Sequence, residues 1–417
     1  MILYSFLLLT FCLILYYCLY KKTNDILNPF GIMIITWGIV ASLASLQISI
    51  LDTGWTYEMY AISILFPFSV YIGVVIGKNN NIKREKKYAN IEFSNIYFFL
   101  SRLIFLLCLV CAFMEWKSQG FILPFFSKGL ASDTKHLVST LPFFHYGTVY
   151  LPYCSINAFF ELCFSKRKKL WDKILLFIQF LIPIFHCLLI ATSRGSLLII
   201  ILGILFILSR KYKIKFNKLY IIVIIILIIL VKVAEQRITS VSLVFRVIPE
   251  HPLLSSLYSY TAVNFENLNK LTKVGPSWSI FIRSFYGLLQ TIGLGGLFPE
   301  KPKQITVFLN ACPIAYDFYD DLWLIGVVLY TILLTVILKV VYRKCNKSSR
   351  WIILIAALQK PIWVVFFGNY FWGYRIIFFP LIISWLLVKS NDYVWTKRGL
   401  RIIKKNEDRF HKLIQIF

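Results

Sequence analysis

Apolar runs of about 20 residues recur along the whole chain, each long enough as a helix to cross a hydrocarbon core of roughly 30 Å. They fall near 2-20, 29-50, 59-77, 96-114, 146-164, 174-192, 196-209, 219-233, 322-341, 351-369 and 376-388. Such runs leave few alternatives to an all-α integral membrane protein of about eleven transmembrane helices, because a lipid-exposed backbone must satisfy its hydrogen bonds internally. The 417 residues are 59% hydrophobic, with a mean hydropathy of +0.72, beyond ordinary soluble composition. No polar stretch is long enough for a separate soluble domain, so residues 1-417 read as one membrane domain. The first run lacks a basic start and a small-residue cleavage site and reads as a retained span.

The formal charge of +26 would suit a nucleic-acid partner if it were spread over one surface. Instead the lysines and arginines gather in every second connection. They form Lys21-Lys22, "KNNNIKREKK" from Lys78, "SKRKK" from Ser165, "RKYKIKFNK" from Arg210, "RKCNKSSR" from Arg343 and the tail from Lys389. Basic residues near span ends favour the cytoplasm, which predicts an N-terminus outside, a C-terminus inside and a cytoplasmic tail over about 389-417. Anionic lipid headgroups then account for the charge and nucleic acid does not. The cysteines lie mostly inside apolar runs, including Cys108 and Cys111 at CxxC spacing, and read as small hydrophobes.

This topology leaves two sizeable outer segments, one from Glu115 to about His145 and a long loop over about 234-321. The long loop contains "SWSIFIRSFYGLLQTIGLGGLF", whose apolar pattern broken by Arg283 and glycines predicts short interfacial or re-entrant helices. Arg102, Lys232 and Lys339 near span ends read as snorkelling cations. Lys360 and His186 sit deeper, and intramembrane ionisable groups are functional candidates by default, with a buried polar pair as the plain alternative.

The outer face carries the chemistry. Ser193-Arg194-Gly195 lies at the tip between the sixth and seventh runs, where an arginine offers a planar fork of donors to phosphate and the glycine allows close backbone approach. Arg237, Arg246, Arg283 and Arg375 face the same side against the usual charge bias, which an anionic lipid headgroup such as a pyrophosphate would explain. Glu235, Glu250-His251 and the aspartates Asp317, Asp320 and Asp321 of "YDFYDDLWLIG" supply acids and a base. Plain alternatives are a helix-capping arginine and solvated loop carboxylates. A magnesium site on the aspartates is disfavoured on this face. No nucleotide-binding signature occurs, so a substrate must arrive already activated on a lipid.

"TSRGSLL" at an outer tip, a long outer loop with "YSYTAVNFENLNKL", and "NACPIAYDFYDDLWLIG" leading into a span together resemble the bacterial oligosaccharide repeat-unit polymerases of O-antigen and capsule synthesis. Ser193, Arg194 and Gly195 fit the family's serine-arginine-glycine. Tyr319, Asp321 and Gly326 fit its tyrosine-x-Asp-Phe-Gly-x-x-Gly, with Leu322 and Trp323 in place of the phenylalanine and glycine. The resemblance implies a nucleotide-independent glycosyltransferase of the bacterial inner membrane that needs no cofactor. It would move a growing glycan from undecaprenyl pyrophosphate onto a second lipid-linked repeat unit on the outer face. Its partners would be undecaprenyl-pyrophosphate-linked oligosaccharide, membrane lipid and a chain-length regulator. Arg194 would hold the pyrophosphate, helped by Arg246 and Arg283. His251 or Asp321 would act as base or orient the acceptor, with Arg237, Arg375 and Tyr319 binding substrate. Tyr258, Trp278 and Trp372 are candidates for stacking on sugars. A lipid-linked oligosaccharide flippase and an O-antigen ligase are the competing readings; Arg194 and Leu198 have an arginine-x-x-x-leucine spacing that ligases can show.

Overall fold

The computed structural model describes residues 1-76, 88, 90-123, 125-126, 142-166, 169-191, 193-212, 258, 261-291, 294-297, 311-368, 371, 379-396 and 399-402. These fold into α1 (Ile2–Thr23), α2 (Pro29–Ser45), α3 (Tyr57–Val75), α4 (Asn95–Ser118), α5 (Pro142–Phe164), α6 (Leu170–Phe185) continued by a π-helical turn (His186–Ile190), and α7 (Arg194–Lys211). After these come α8 (Asn264–Val274), α9 (Ile282–Thr291), α10 (Ile314–Lys347), α11 (Ile352–Ala357), α12 (Gln359–Trp363) and α13 (Phe379–Ser390). Five helical stretches, Ile2–Thr23, Tyr57–Val75, Asn95–Ser118, Leu170–Ile190 and Ile314–Lys347, are long and apolar enough to cross a membrane. Pro29–Ser45 and Pro380–Ser390 are shorter apolar helices. The run expected at 219-233 lies outside the described residues.

The surface is apolar where a soluble protein would be polar. Leu103, Leu106, Leu107, Val110 and Phe113 line the outward face of α4, and Ile325, Leu329, Leu333, Ile337 and Val340 that of α10. Continuous apolar faces of this length exceed what a soluble monomer exposes. Polar side chains turn inward. Arg102, expected to snorkel, gives its Nη1 to both oxygens of the fully buried Glu161, at 2.9 and 2.7 Å. Ser101 donates to the same carboxylate at 2.9 Å, Asn157 donates to Ser101 at 2.7 Å, and Tyr97 donates to Asn157 at 2.6 Å. A buried glutamate without this network would face the full desolvation cost of its charge, so α4 and α5 are joined by mutual satisfaction as well as by packing.

Among the described residues, polar side chains gather at two ends of the bundle. One end holds Asp25, whose carboxylate takes Arg210 Nη2 at 2.5 Å and the Tyr342 hydroxyl at 2.6 Å. Arg210, expected in a solvated basic loop, is therefore a fully buried guanidinium stacked on Phe206 and Tyr342. Lys339, also expected to snorkel, instead donates to the carbonyls of Val74 and Ile76 at 2.6 Å each, where a cation meets the negative end of α3. The described residues of the basic blocks, including Lys21, Lys166, Lys211, Arg343 and Lys389, fall at this same end. A short antiparallel pair, β1 (Tyr393–Thr396) and β2 (Gly399–Ile402), opens the tail.

The opposite end gathers the α2–α3 connection, α8, α9 and the start of α10. There Asp52 accepts the Tyr258 hydroxyl at 3.0 Å and the Ser49 N–H at 2.8 Å, while Asn269 donates to the Thr53 carbonyl at 2.9 Å. Burial, with the nearby Glu266 charge adding to it, pushes the Asp52 carboxyl up to about 6.

Candidate functional site

The aspartates expected at the end of the outer loop lie inside α10, which begins eight residues earlier than the apolar run it contains. All three are buried, Asp321 completely. Asp321 Oδ1 accepts the Ser279 hydroxyl at 2.7 Å and the Arg283 N–H at 3.0 Å, while Oδ2 accepts the Ser284 N–H at 2.7 Å. Arg283 and Ser284 are the second and third residues of α9, so Asp321 does from a distant helix what an N-cap side chain does locally. Asp320 holds the other strand of the same loop. Its Oδ1 accepts the Ser277 N–H at 3.0 Å, its Oδ2 the Arg283 Nε at 3.0 Å, and its carbonyl the Trp278 N–H at 3.1 Å.

These bonds hold an unfavourable backbone. Gly275 has φ +90, and Trp278, Ile280 and Phe281 have φ of +56, +39 and +46, conformations that L side chains rarely adopt. Arg283 is itself buried against Asp320, so the guanidinium expected to face a lipid phosphate is engaged by protein. Tyr319, two residues before Asp321, is buried as well.

α10 is not straight. Leu322 (φ −144) and Trp323 (φ +53, ψ −147) break its helical geometry just after Asp321. Trp323 occupies the position at which the resemblance expects glycine, and its left-handed φ is the conformation glycine adopts without cost. Gly326 is required for a different reason. A Cβ there would fall inside the Phe318 carbonyl across the kink. Trp323 therefore holds this turn at the cost of backbone strain.

The Ser193-Arg194-Gly195 tip is the start of α7. Ser193 is the N-cap and accepts the Ser196 N–H at 3.3 Å, and its own N–H donates to the Cys187 carbonyl at 3.1 Å. Arg194 is the first helical residue. Gly195 has no left-handed φ and serves close approach instead of a turn. A Cβ on it would lie 3.0 Å from Lys360 Nζ. The ammonium of the deep lysine is thus packed against the serine-arginine-glycine segment, with α12 lying between α7 and α2. Five residues on, the Val365 carbonyl accepts the N–H of Ile314, the first residue of α10. The 360-365 segment links the Gly195 tip to the helix that carries the aspartates.

Hydropathy and motif reading did not pair Glu115 with His145. His145 Nδ1 lies 3.0 Å from Glu115 Oε1 at this same end. Both residues border the outer segment that was expected between α4 and α5, a location that could have drawn attention to them. Arg237, Arg246, His251 and Arg375 lie outside the described residues, as do Glu235, Glu250, Lys232 and Trp372. Among the described residues no group of three His, Cys, Asp or Glu side chains is placed to hold a metal ion. No family model, curated protein or solved structure matches the chain.

Proposed function

We propose that the chain polymerises lipid-linked oligosaccharide repeat units, transferring a growing glycan from undecaprenyl pyrophosphate to a second lipid-linked unit on the outer face of the bacterial inner membrane. About eleven spans, an outer N-terminus and a cytoplasmic C-terminus belong to this reading. The basic blocks at one end of the bundle support that orientation.

The observation that carries the reading is the approach of the Lys360 ammonium to Gly195. It brings a second cation to the segment that holds Arg194, at the positive end of α7, and a pyrophosphate is the kind of group such a convergence suits. In the proposed reaction the acceptor hydroxyl attacks the anomeric carbon of the donor sugar. The bond from that carbon to the pyrophosphate oxygen breaks, and the electron pair leaves with undecaprenyl pyrophosphate. Cations are most useful where that charge develops. Asp320 and Asp321 take a positioning role in this scheme, fixing the loop before α9 and with it Arg283.

The test is a gel of surface glycan from a deletion strain. A polymerase leaves surface lipid bearing a single repeat unit. A ligase leaves surface lipid with none, and a flippase leaves lipid-linked units accumulated inside the cell; either outcome overturns the reading.

A further inference from the structure

A nucleophilic hydroxyl needs a base, and the described geometry offers one that the arginine and aspartate motifs do not reveal. Asp321 is fully occupied as a helix cap, with three donors on its two oxygens. His145 is arranged differently. Its Nδ1 faces Glu115 Oε1 at 3.0 Å, so the carboxylate holds Nδ1 as the protonated nitrogen and leaves the Nε2 lone pair facing away. The imidazole side chain is 37% exposed while the carboxylate behind it is 6% exposed. A buried acid orienting a half-exposed imidazole is the arrangement in which histidine accepts a proton from a hydroxyl.

The pair is built into the packing of α4 against α5. Gly147, half a turn beyond His145, has no room for a Cβ, which would fall inside the Cys111 side chain. Cys111 lies one turn before Glu115 on α4, so the contact at Gly147 brings the two backbones together and sets the separation of the pair. The chain leaving α4 then returns to the sixth helix, where the Phe125 N–H donates to the Leu189 carbonyl at 3.3 Å. In the same turn the His186 carbonyl accepts the Ala191 N–H at 2.9 Å just before the serine-arginine-glycine tip. The dyad and the cationic tip therefore belong to one end of the bundle and are joined through the π-helical turn. Glu115 Oε2 is buried with no hydrogen-bond partner among the described residues, so removing His145 would leave the whole carboxylate unsatisfied.

We infer that His145, oriented by Glu115, is the base that takes the proton from the acceptor hydroxyl. This inference rests on the polymerase reading. As the acceptor oxygen bonds to the anomeric carbon, its proton passes to Nε2, and the imidazolium formed is stabilised by Glu115. The proton is released once the pyrophosphate has left with its electron pair.

The experiment uses the full chain, returned to the deletion strain as wild type, His145→Gln or His145→Ala. Membrane vesicles of that strain, which hold lipid-linked single units, serve for the assay. His145→Gln can still donate to Glu115 and is expected to insert at wild-type level yet lose polymer formation by roughly 100-fold or more. His145→Ala is expected to be inactive and to regain polymer synthesis when imidazole is added. Wild-type glycan lengths in His145→Gln, or inactivity that imidazole does not relieve in His145→Ala protein inserted at wild-type level, would overturn the assignment of the base. If the deletion itself leaves glycan length unchanged, the polymerase reading fails and this inference goes with it.

Discussion

Asp321 Oδ2 accepts the backbone N–H of Ser284 at 2.7 Å, so a carboxylate in α10 caps the start of α9, 37 residues earlier in the chain. Replacing Asp321 with alanine would strand the N–H groups of Arg283 and Ser284 and the Ser279 hydroxyl in a buried site, at a cost of about 2–5 kcal/mol. Ser279→Ala alone should cost about 1 kcal/mol and almost nothing in an Asp321→Ala background, because the shared bond is already gone. Thermal midpoints of the detergent-solubilised protein measure both. Additive losses would show that the serine and the aspartate do not act together.

Trp323 holds φ +53 at the kink. Trp323→Ala and Trp323→Gly lose the same indole, but only glycine relaxes the backbone. The glycine variant should therefore be more stable than the alanine variant by about 1 kcal/mol. Gly326→Ala should destabilise strongly, since its Cβ meets the Phe318 carbonyl and no side-chain rotation relieves that contact. Equal midpoints for the two Trp323 variants would argue against the left-handed turn.

Gly195→Ala places a methyl 3.0 Å from Lys360 Nζ, at the far end of a flexible chain. The fold should tolerate it at a cost under about 1 kcal/mol, while on the proposed polymerase function the displaced ammonium should shorten the surface glycan. Arg194→Lys keeps the charge but loses the bidentate fork, and it too should impair polymer formation with membrane insertion intact. Wild-type glycan lengths in both variants would remove this tip from the site.

Asp52 has its carboxyl raised from 3.8 to about 6 by burial. The folded protein therefore binds the proton more tightly than the unfolded chain between those values. The associated stability is fully present below about pH 4 and is lost as pH rises through 6. Unfolding midpoints should fall over that window, and Asp52→Asn, which cannot ionise, should remove that part of the fall while keeping an acceptor for Tyr258. A variant with the same pH slope as wild type would exclude Asp52 as its source.

Much of this protein is local in origin. Most of the described apolar runs make helices, because the backbone must close its own hydrogen bonds in lipid, although the run expected at 351-369 breaks into α11 and α12. Alternation of basic connections sorts them to one end, and Ser193 caps α7 through an atom three residues from its partner. Those features follow from neighbours in the chain, and hydropathy, charge and capping patterns disclose them. Which ionisable groups meet does not follow in that way. Arg102 and Lys339 carry the pattern of snorkelling residues, yet one enters a buried glutamate network and the other caps α3. Arg210 reads as a loop cation and is the centre of a buried pair with Asp25. Asp321 reads as a loop acid and is a cap for α9, Lys360 comes to rest against Gly195, and His145 finds Glu115. Each of these depends on the rotation of a helix about its own axis and on its slide against a neighbour. Side-chain packing between helices sets both, and the period of an apolar run does not record them.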